Sequence, residues 1–238
     1  RRTDPTYYMG ILNPRVDYVV CETEDIMSSL SKYISDKKLS FRPKPYMVEW
    51  INPEMEEAGE NLPENAFKLV YVGNTKNRPF KGLSYLIEAV ILLNDNDVHL
   101  TIVGNYSDED FNMAQNSNMI NNIHFVGPRS NAISYIKDKD LFVLPSLRDA
   151  SPRVVREALA CSVPCIVTNI PGARDLISPK CGVLVPAGDA KALAKEIKEL
   201  KDNVEKLDSL KSESQKHIKE NFSVKEYTNY LARIFDKL

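Results

Sequence analysis

From about residue 68 onward, short apolar runs alternate with stretches in which apolar residues recur every three or four positions. That alternation predicts strands joined by crossover helices, and hence an α/β, Rossmann-like parallel sheet with helices on both faces. The runs Leu69 to Val72, Leu100 to Val103, Ile123 to Val126, Leu141 to Leu144, Cys165 to Val167 and Val183 to Val185 read as six strands. After Gly82, Leu83, Leu86, Ile87 and Val90 fall at helical spacing. Asp108 to Met119 is a polar, poorly periodic helix candidate, Ser130 to Lys137 a short one, and Gly172 to Ile177 fills the last connection. Asp189 is placed to cap a helix through Leu200, and the charged stretch to about Asn221 predicts an exposed helix or a pair of them.

The first sixty residues fit that unit poorly. Asp17 to Cys21 reads as a strand, Asp25 to Ile34 as a helix, and Pro43 to Pro53 contains another extended apolar stretch. Pro53 to Asn65, acidic and containing Pro and Asn, has the character of a linker. The last predicted helix, Ser223 to Leu238, carries Tyr227, Tyr230, Leu231, Ile234 and Phe235 on one apolar face.

Composition changes this picture only at its edges. With 43% hydrophobic residues in 238, the chain can bury a substantial core. A net charge of −2 gives no general attraction to nucleic acid or acidic membranes, so no nucleic-acid partner is expected. No apolar run approaches membrane-spanning length and no signal-peptide pattern opens the chain, which makes a cytoplasmic setting the default. The opening Arg1-Arg2, without methionine, suggests a processed product or a fragment of something longer. Cys21, Cys161, Cys165 and Cys181 lack metal-site spacing and read as reduced core residues; His99, His124 and His217 read as satisfied or half-exposed structural histidines.

The chemistry concentrates in three loops. In PSLRDASPRVVREALACSVPCIVT, Ser151 is a good N-cap and Pro152 suits the first helical position, predicting a helix to about Cys161. Its opening turn, Ser151 to Arg153, would offer free N–H groups and the positive end of the helix dipole to an anion. Asp149 and Glu157, separated by seven residues, flank that helix start. Taken alone, the pair also suits a capped amphipathic helix with two solvated acids. In YVGNTKNRPFKGLSYLIEA, Gly73 ends a strand, Lys81 and Gly82 precede a helix, and Lys76, Arg78 and Lys81 crowd the loop. Such a loop can hold a diphosphate, although it is neither a Walker A sequence nor a dinucleotide fingerprint. In HFVGPRS, Gly127 and Pro128 mark a turn, and Gly104 ends the second strand in the same way.

The first of these segments resembles the donor-sugar motif of the retaining GT-B glycosyltransferases, the group 1 (family 4) class. There, a strand ending in Pro-Ser is followed by an acid, a turn, and a second Glu before Ala-x-Ala-Cys. The counterparts are Pro145, Ser146, Asp149, Pro152, Glu157, Ala158, Ala160 and Cys161. The resemblance implies that Lys81, with Arg78 and the position of Asn74, contacts the donor diphosphate, and that Gly127, Pro128, Arg129 and Ser130 line the base pocket. Asp149 would orient the donor sugar, Glu157 would bind ribose, and Gly73 and Gly104 would let the nucleotide approach. Three departures stand out. Asp149 replaces the usual Glu and must reach further; Ala150 replaces a Gly, which matters if the turn needs positive φ; Asn74 stands where the family has Arg.

The resemblance divides the chain into a remnant of the N-terminal acceptor domain and linker (1–60), a donor-binding domain (61–221) and a terminal helix returning to the N-terminal part (222–238). In it, Tyr46 to Asn52 matches the family's strand before the linker. It implies transfer of a sugar from a nucleotide diphosphate sugar to an acceptor hydroxyl, with retention, in polysaccharide or glycoconjugate synthesis. The donor is a substrate, and no cofactor or obligatory metal is implied. The acceptor would be a saccharide or lipid-linked molecule, met with the help of the missing N-terminal domain at the inner face of the membrane. The alternative is a nucleotide-sugar binding or scaffold module without transfer activity. An unrelated reductase or kinase would need a glycine fingerprint, a Walker lysine or a nucleophile-base constellation, and none is visible.

Overall fold

The computed structural model describes residues 10–51 and 61–238. A small parallel pair, β1 (Val19–Cys21) and β2 (Leu39–Phe41), joined through α1 (Glu24–Leu30), comes first. The rest is built on a six-stranded, wholly parallel sheet. Its strands are β3 (Phe67–Val72), β4 (Val98–Val103), β5 (Ile123–Gly127), β6 (Leu141–Leu144), β7 (Cys165–Thr168) and β8 (Gly182–Val185). They lie in the order β5-β4-β3-β6-β7-β8.

The chain enters the sheet at β3, winds outward to β5, returns to β6 beside β3 and winds outward the other way. Right-handed crossovers running in opposite directions put their helices on opposite faces. On one face α2 (Leu83–Leu93) packs with α3 (Asp108–Gln115) and with α6 (Ala190–Asp202); on the other α5 (Arg153–Ala160) packs with α4 (Ile133–Ile136) and α7 (Val204–Asn221). Covered on both sides, the inner strands are largely apolar, and Leu69, Val70, Tyr71, Leu100, Phe142, Val143 and Ile166 are all buried. The β3/β4 ladder registers from Phe67 with Val98 to Val72 with Val103, but β3 and β6 register only at Leu69 with Leu141 and Val70 with Phe142. Beyond those pairs the two central strands part, opening a crevice at the point where the winding reverses.

All six expected sheet strands form, and the Asp189 carboxylate accepts from the Ala192 amide at 2.9 Å as the cap of α6. Other expectations need correcting. α3 stops at Gln115 rather than Met119, because Asn116, Ser117 and Asn118 follow and the Ser117 hydroxyl turns back to the Ala114 carbonyl at 2.7 Å. The short helix expected from Ser130 covers only Ile133–Ile136. The first helix starts at Glu24, under a Thr23 side chain that accepts from the Ile26 amide, and ends at Leu30 rather than Ile34. The extended stretch forms no strand over Pro43 to Ile51: the Tyr46 amide is spent on the Phe222 carbonyl, at 2.9 Å, and Val48–Trp50 close into a 3-10 turn. Most of the expected linker, together with Asn52, lies outside the described residues.

The terminal helix α8 (Val224–Phe235) is capped by Ser223 and lies against β2, where the Tyr230 hydroxyl hydrogen-bonds with Ser40 and Arg42 sits 5.6 Å from the Tyr230 ring centroid. His99 and His124, distant in sequence, meet across β4 and β5 with ring nitrogens 3.0 Å apart, and Asn122 lies 3.3 Å from the other nitrogen of His99. All four cysteines are free thiols; Cys21, Cys165 and Cys181 are buried and Cys161 half-buried. Among the described residues, no helix is long and apolar enough to cross a membrane.

Candidate active site

Beyond the parting ends of β3 and β6 lies a cleft of about 550 Å³. One wall is the loop after β3 (Arg78, Phe80, Lys81), the loop after β6 (Arg148, Asp149, Ala150) and Pro171; the other is Thr23, Asp25, Ile26 and Ser29 of the α1 segment. Two local constraints hold the β3 and β6 loops together. The Leu147 amide donates to the Phe80 carbonyl at 2.7 Å. Gly82, at φ +75°, lies so close to the Pro145 carbonyl that a Cβ there would stand 2.0 Å from its oxygen. The walls are in turn bridged by Arg174, whose guanidinium meets the Asp25 carboxylate at 2.5 Å.

At the centre, Lys81 Nζ contacts Asp149 Oδ2 at 2.5 Å, with both side chains largely sheltered from solvent. A cation and an acid distant in sequence thus become one hydrogen-bonded pair at the strand ends. Around them, the Tyr71 hydroxyl, Asn74 Oδ1 and the Ser146 hydroxyl are buried with no hydrogen-bond partner among the described residues. Burial raises the Tyr71 phenol well above its ordinary value, and nearby Asp110 and Asp149 reinforce the shift. Buried polar groups without partners are costly, so three of them at the end of two adjacent strands suit a site that is completed by a polar ligand.

The second acid sits apart from that pair. Glu157, on α5, is buried and meets the exposed Arg153 at 2.8 Å, one helical turn away. Burial raises its pKa above the ordinary 4.5, and Arg153 only partly opposes this. The Tyr46 phenol is pushed up to about 12, first by burial and then by the Glu157 carboxylate. A carboxyl that is easier to protonate when folded adds stability below its unfolded pKa, and that contribution is lost as pH rises through the raised value. Glu157→Gln removes this proton linkage. The stability of the native chain relative to the Gln variant is therefore expected to fall as pH is taken from 4 to 7, measured by urea unfolding at each pH; a pH-independent difference would refute the linkage.

Ser151 does not cap α5. The helix starts at Arg153 with Pro152 as its N-cap, and the Ser151 hydroxyl instead accepts from Arg156 at 2.9 Å. Arg156 is buried, so its guanidinium claims an oxygen that an exposed helix end could replace with water. Ala150 is not at positive φ, so replacing Gly there imposes no backbone strain in this turn.

The glycines serve the scaffold. Gly73 donates to the Val103 carbonyl at 3.0 Å and Gly104 to the Gly127 carbonyl at 2.9 Å, tying three strand ends in a row. Gly104, at φ +124°, leaves no room for a Cβ, which would stand 1.7 Å from the Gly73 carbonyl oxygen. Arg129 is exposed and bonds to the Tyr135 hydroxyl and the Pro128 carbonyl, each at 3.1 Å, outside the cleft. Of the site residues expected from sequence, the cleft itself gathers Lys81, Arg78 and Asp149. Phe80, Arg148 and the α1 wall join them without a sequence motif, although Asp25 and Ser29 share a helix face by their spacing and Arg148 adjoins Asp149.

The family model for glycosyl transferases group 1 matches residues 54–217, and the chain belongs to that family. It is 29% identical over 182 residues to the capsular polysaccharide biosynthesis glycosyltransferase CapM of Staphylococcus aureus, covering 72% of this chain and 46% of the relative. It is 29% identical over 170 residues to the Escherichia coli UDP-Gal:alpha-D-GlcNAc-diphosphoundecaprenol alpha-1,3-galactosyltransferase, covering 66% of this chain and 43% of the relative. The chain thus spans less than half the length of these two curated relatives. Among solved structures, Anabaena Alr3699/HepE in complex with UDP superposes with a TM-score of 0.82 at 18% identity, over 93% of this chain and 64% of that one. A glycosyltransferase from Rickettsia africae gives 0.84 at 20% identity, over 98% and 66%. The architecture is accordingly that of a GT-B glycosyltransferase, with its Rossmann-like parallel sheet and flanking helices.

Proposed function

We propose that this chain is the donor-binding part of a retaining glycosyltransferase that moves a sugar from a nucleotide diphosphate sugar to an acceptor hydroxyl. The observation that carries the reading is the Lys81–Asp149 pair at the bottom of the cleft between β3 and β6. The bond between the anomeric carbon and the diphosphate breaks, a bond from that carbon to the acceptor oxygen forms, and the acceptor proton goes to the departing diphosphate. Lys81 stabilises the charge that develops on the diphosphate, helped by Arg78 and by the first turn of α5. Asp149, released from Lys81 when the diphosphate takes the cation, accepts hydrogen bonds from donor-sugar hydroxyls. Glu157 accepts from the ribose hydroxyls, and the exposed turn at Gly127, Pro128 and Arg129 borders the base.

The named activities of the relatives support assembly of a polysaccharide or glycoconjugate, with a saccharide or lipid-linked acceptor. A lipid-linked acceptor places the reaction at the cytoplasmic face of the membrane, with the further domain of the longer relatives holding the acceptor. The experiment is thermal unfolding of this chain with UDP, GDP, ADP and their sugars, beside Lys81→Ala and Glu157→Ala. A ligand at a hundredfold excess over its Kd adds roughly 2.7 kcal/mol to stability. Stabilisation by one base, weakened in both variants, is the expected result; equal stabilisation of both variants and the native chain would overturn the reading. A binding module without transfer is the second reading, favoured by Asn74 at the family arginine position and by the shorter Asp149. Complementation with an N-terminal acceptor domain separates the two, since appearance of transfer excludes it.

A further inference from the structure

We propose that Arg148, seated on the Phe80 ring, is a donor-binding residue that grips the outer phosphate of a bound nucleoside diphosphate; the proposal rests on the donor-site reading above. Three cations line the cleft, Arg78, Lys81 and Arg148, and their situations differ. Lys81 is already matched by Asp149 at 2.5 Å. The acid on the facing wall, Asp25, is matched by Arg174 at 2.5 Å. Arg148 has no carboxylate partner among the described residues, yet its guanidinium carbon lies 4.2 Å from the Phe80 ring centroid.

Stacking uses the face of a guanidinium and leaves its N–H edge pointing outward, which is the geometry that takes a phosphate in two parallel hydrogen bonds. The platform is itself fixed. The Phe80 carbonyl accepts from the amide of Leu147, the residue immediately before Arg148, and Gly82 packs on the Pro145 carbonyl, so ring and guanidinium are carried by two loops locked together. A side chain held in this way loses less freedom on binding than a free one. Arg78 lines the same cleft but is exposed and stacks on no ring among the described residues. Adjacent to Asp149 in sequence, Arg148 adds a guanidinium to the cation already supplied by Lys81.

The test is calorimetric titration of this chain with UDP, GDP and ADP, each beside its monophosphate, using the native sequence, Arg148→Ala, Arg78→Ala, Phe80→Leu and Lys81→Ala. Arg148 is exposed, so its truncation leaves folding intact. Arg148→Ala is expected to weaken the preferred diphosphate roughly 10- to 100-fold and to leave the monophosphate within about threefold. Phe80→Leu should give a smaller loss in the same direction, and Arg78→Ala less than Arg148→Ala. Unchanged diphosphate binding in Arg148→Ala, with binding lost in Lys81→Ala, would overturn the proposal and leave the donor site standing. Equal loss for diphosphate and monophosphate would also overturn it, by moving Arg148 to another part of the ligand. Absence of binding by the native chain to any diphosphate would remove the donor-site reading, and this proposal with it.

Discussion

Replacing Lys81 by alanine is expected to cut sugar transfer by about a hundred- to a thousandfold, the usual cost of deleting one preorganised charge-stabilising donor. The magnitude follows from where the lysine sits. Its side chain is largely sheltered, its ammonium is held at 2.5 Å from Asp149, and it stands at the crevice between the two parting central strands. In bulk water another ion would replace it readily; in a half-closed cleft the lost attraction is much larger. The loss should therefore appear in kcat in addition to the weaker donor binding expected of this variant, because the charge on the departing diphosphate grows further as the bond breaks. Steady-state rates of transfer from the donor identified by thermal unfolding, with the N-terminal acceptor domain supplied, measure it, and a change of less than about fivefold would exclude Lys81 from charge stabilisation.

Gly104→Ala is expected to destabilise the fold by about 2–6 kcal/mol, combining backbone strain with an overpacked contact. The added Cβ would meet a carbonyl oxygen of the neighbouring strand end at 1.7 Å, and backbone, unlike the tip of a long side chain, has nowhere to go. That is a large share of the stability of an ordinary domain. Gly127→Ala supplies the internal comparison. It also has positive φ, +77°, but nothing lies within 4 Å of its Cβ position, so it should cost only about 1–2 kcal/mol from the left-handed backbone. Urea unfolding of both variants separates the terms; equal costs would mean that the approach of Gly73 contributes nothing. Because Gly73 precedes the loop that carries Arg78 and Lys81, the methyl group added by Gly104→Ala should also displace the start of that loop, and on the proposed function weaken nucleotide binding.

The sheet was legible because its strands are short, largely apolar runs, the inner ones buried on both faces, and such runs stand out against polar connections. The meeting of the Lys81 and Asp149 loops was legible for a different reason, since strand-to-helix junctions in an open parallel sheet converge on one edge, whereas Glu157 sits apart on α5. What the sequence hid was decided between distant residues. Ser151 is the right residue type for a cap, yet a buried guanidinium, Arg156, takes its hydroxyl. Tyr46 sits in an extended apolar stretch, yet its amide is claimed by Phe222 from the far end of the chain. Arg148 is an unremarked position between Leu147 and Asp149 until the loop of Phe80 is folded beneath it. The His99 and His124 contact needs two strands in register, and no local pattern encodes that.

The short β3/β6 ladder has a mechanical meaning. The two windings of the sheet, β3 to β5 and β6 to β8, share only two registered residue pairs at their common boundary. A ligand held on one side by Lys81 and on the other by Asp149 would span that boundary beyond the last registered strand pair, beside the backbone hydrogen bond from Leu147 to Phe80. The donor would then act as a second crosspiece beside that bond, bracing two halves of one domain for as long as it is bound and withdrawing the brace when the spent nucleotide departs.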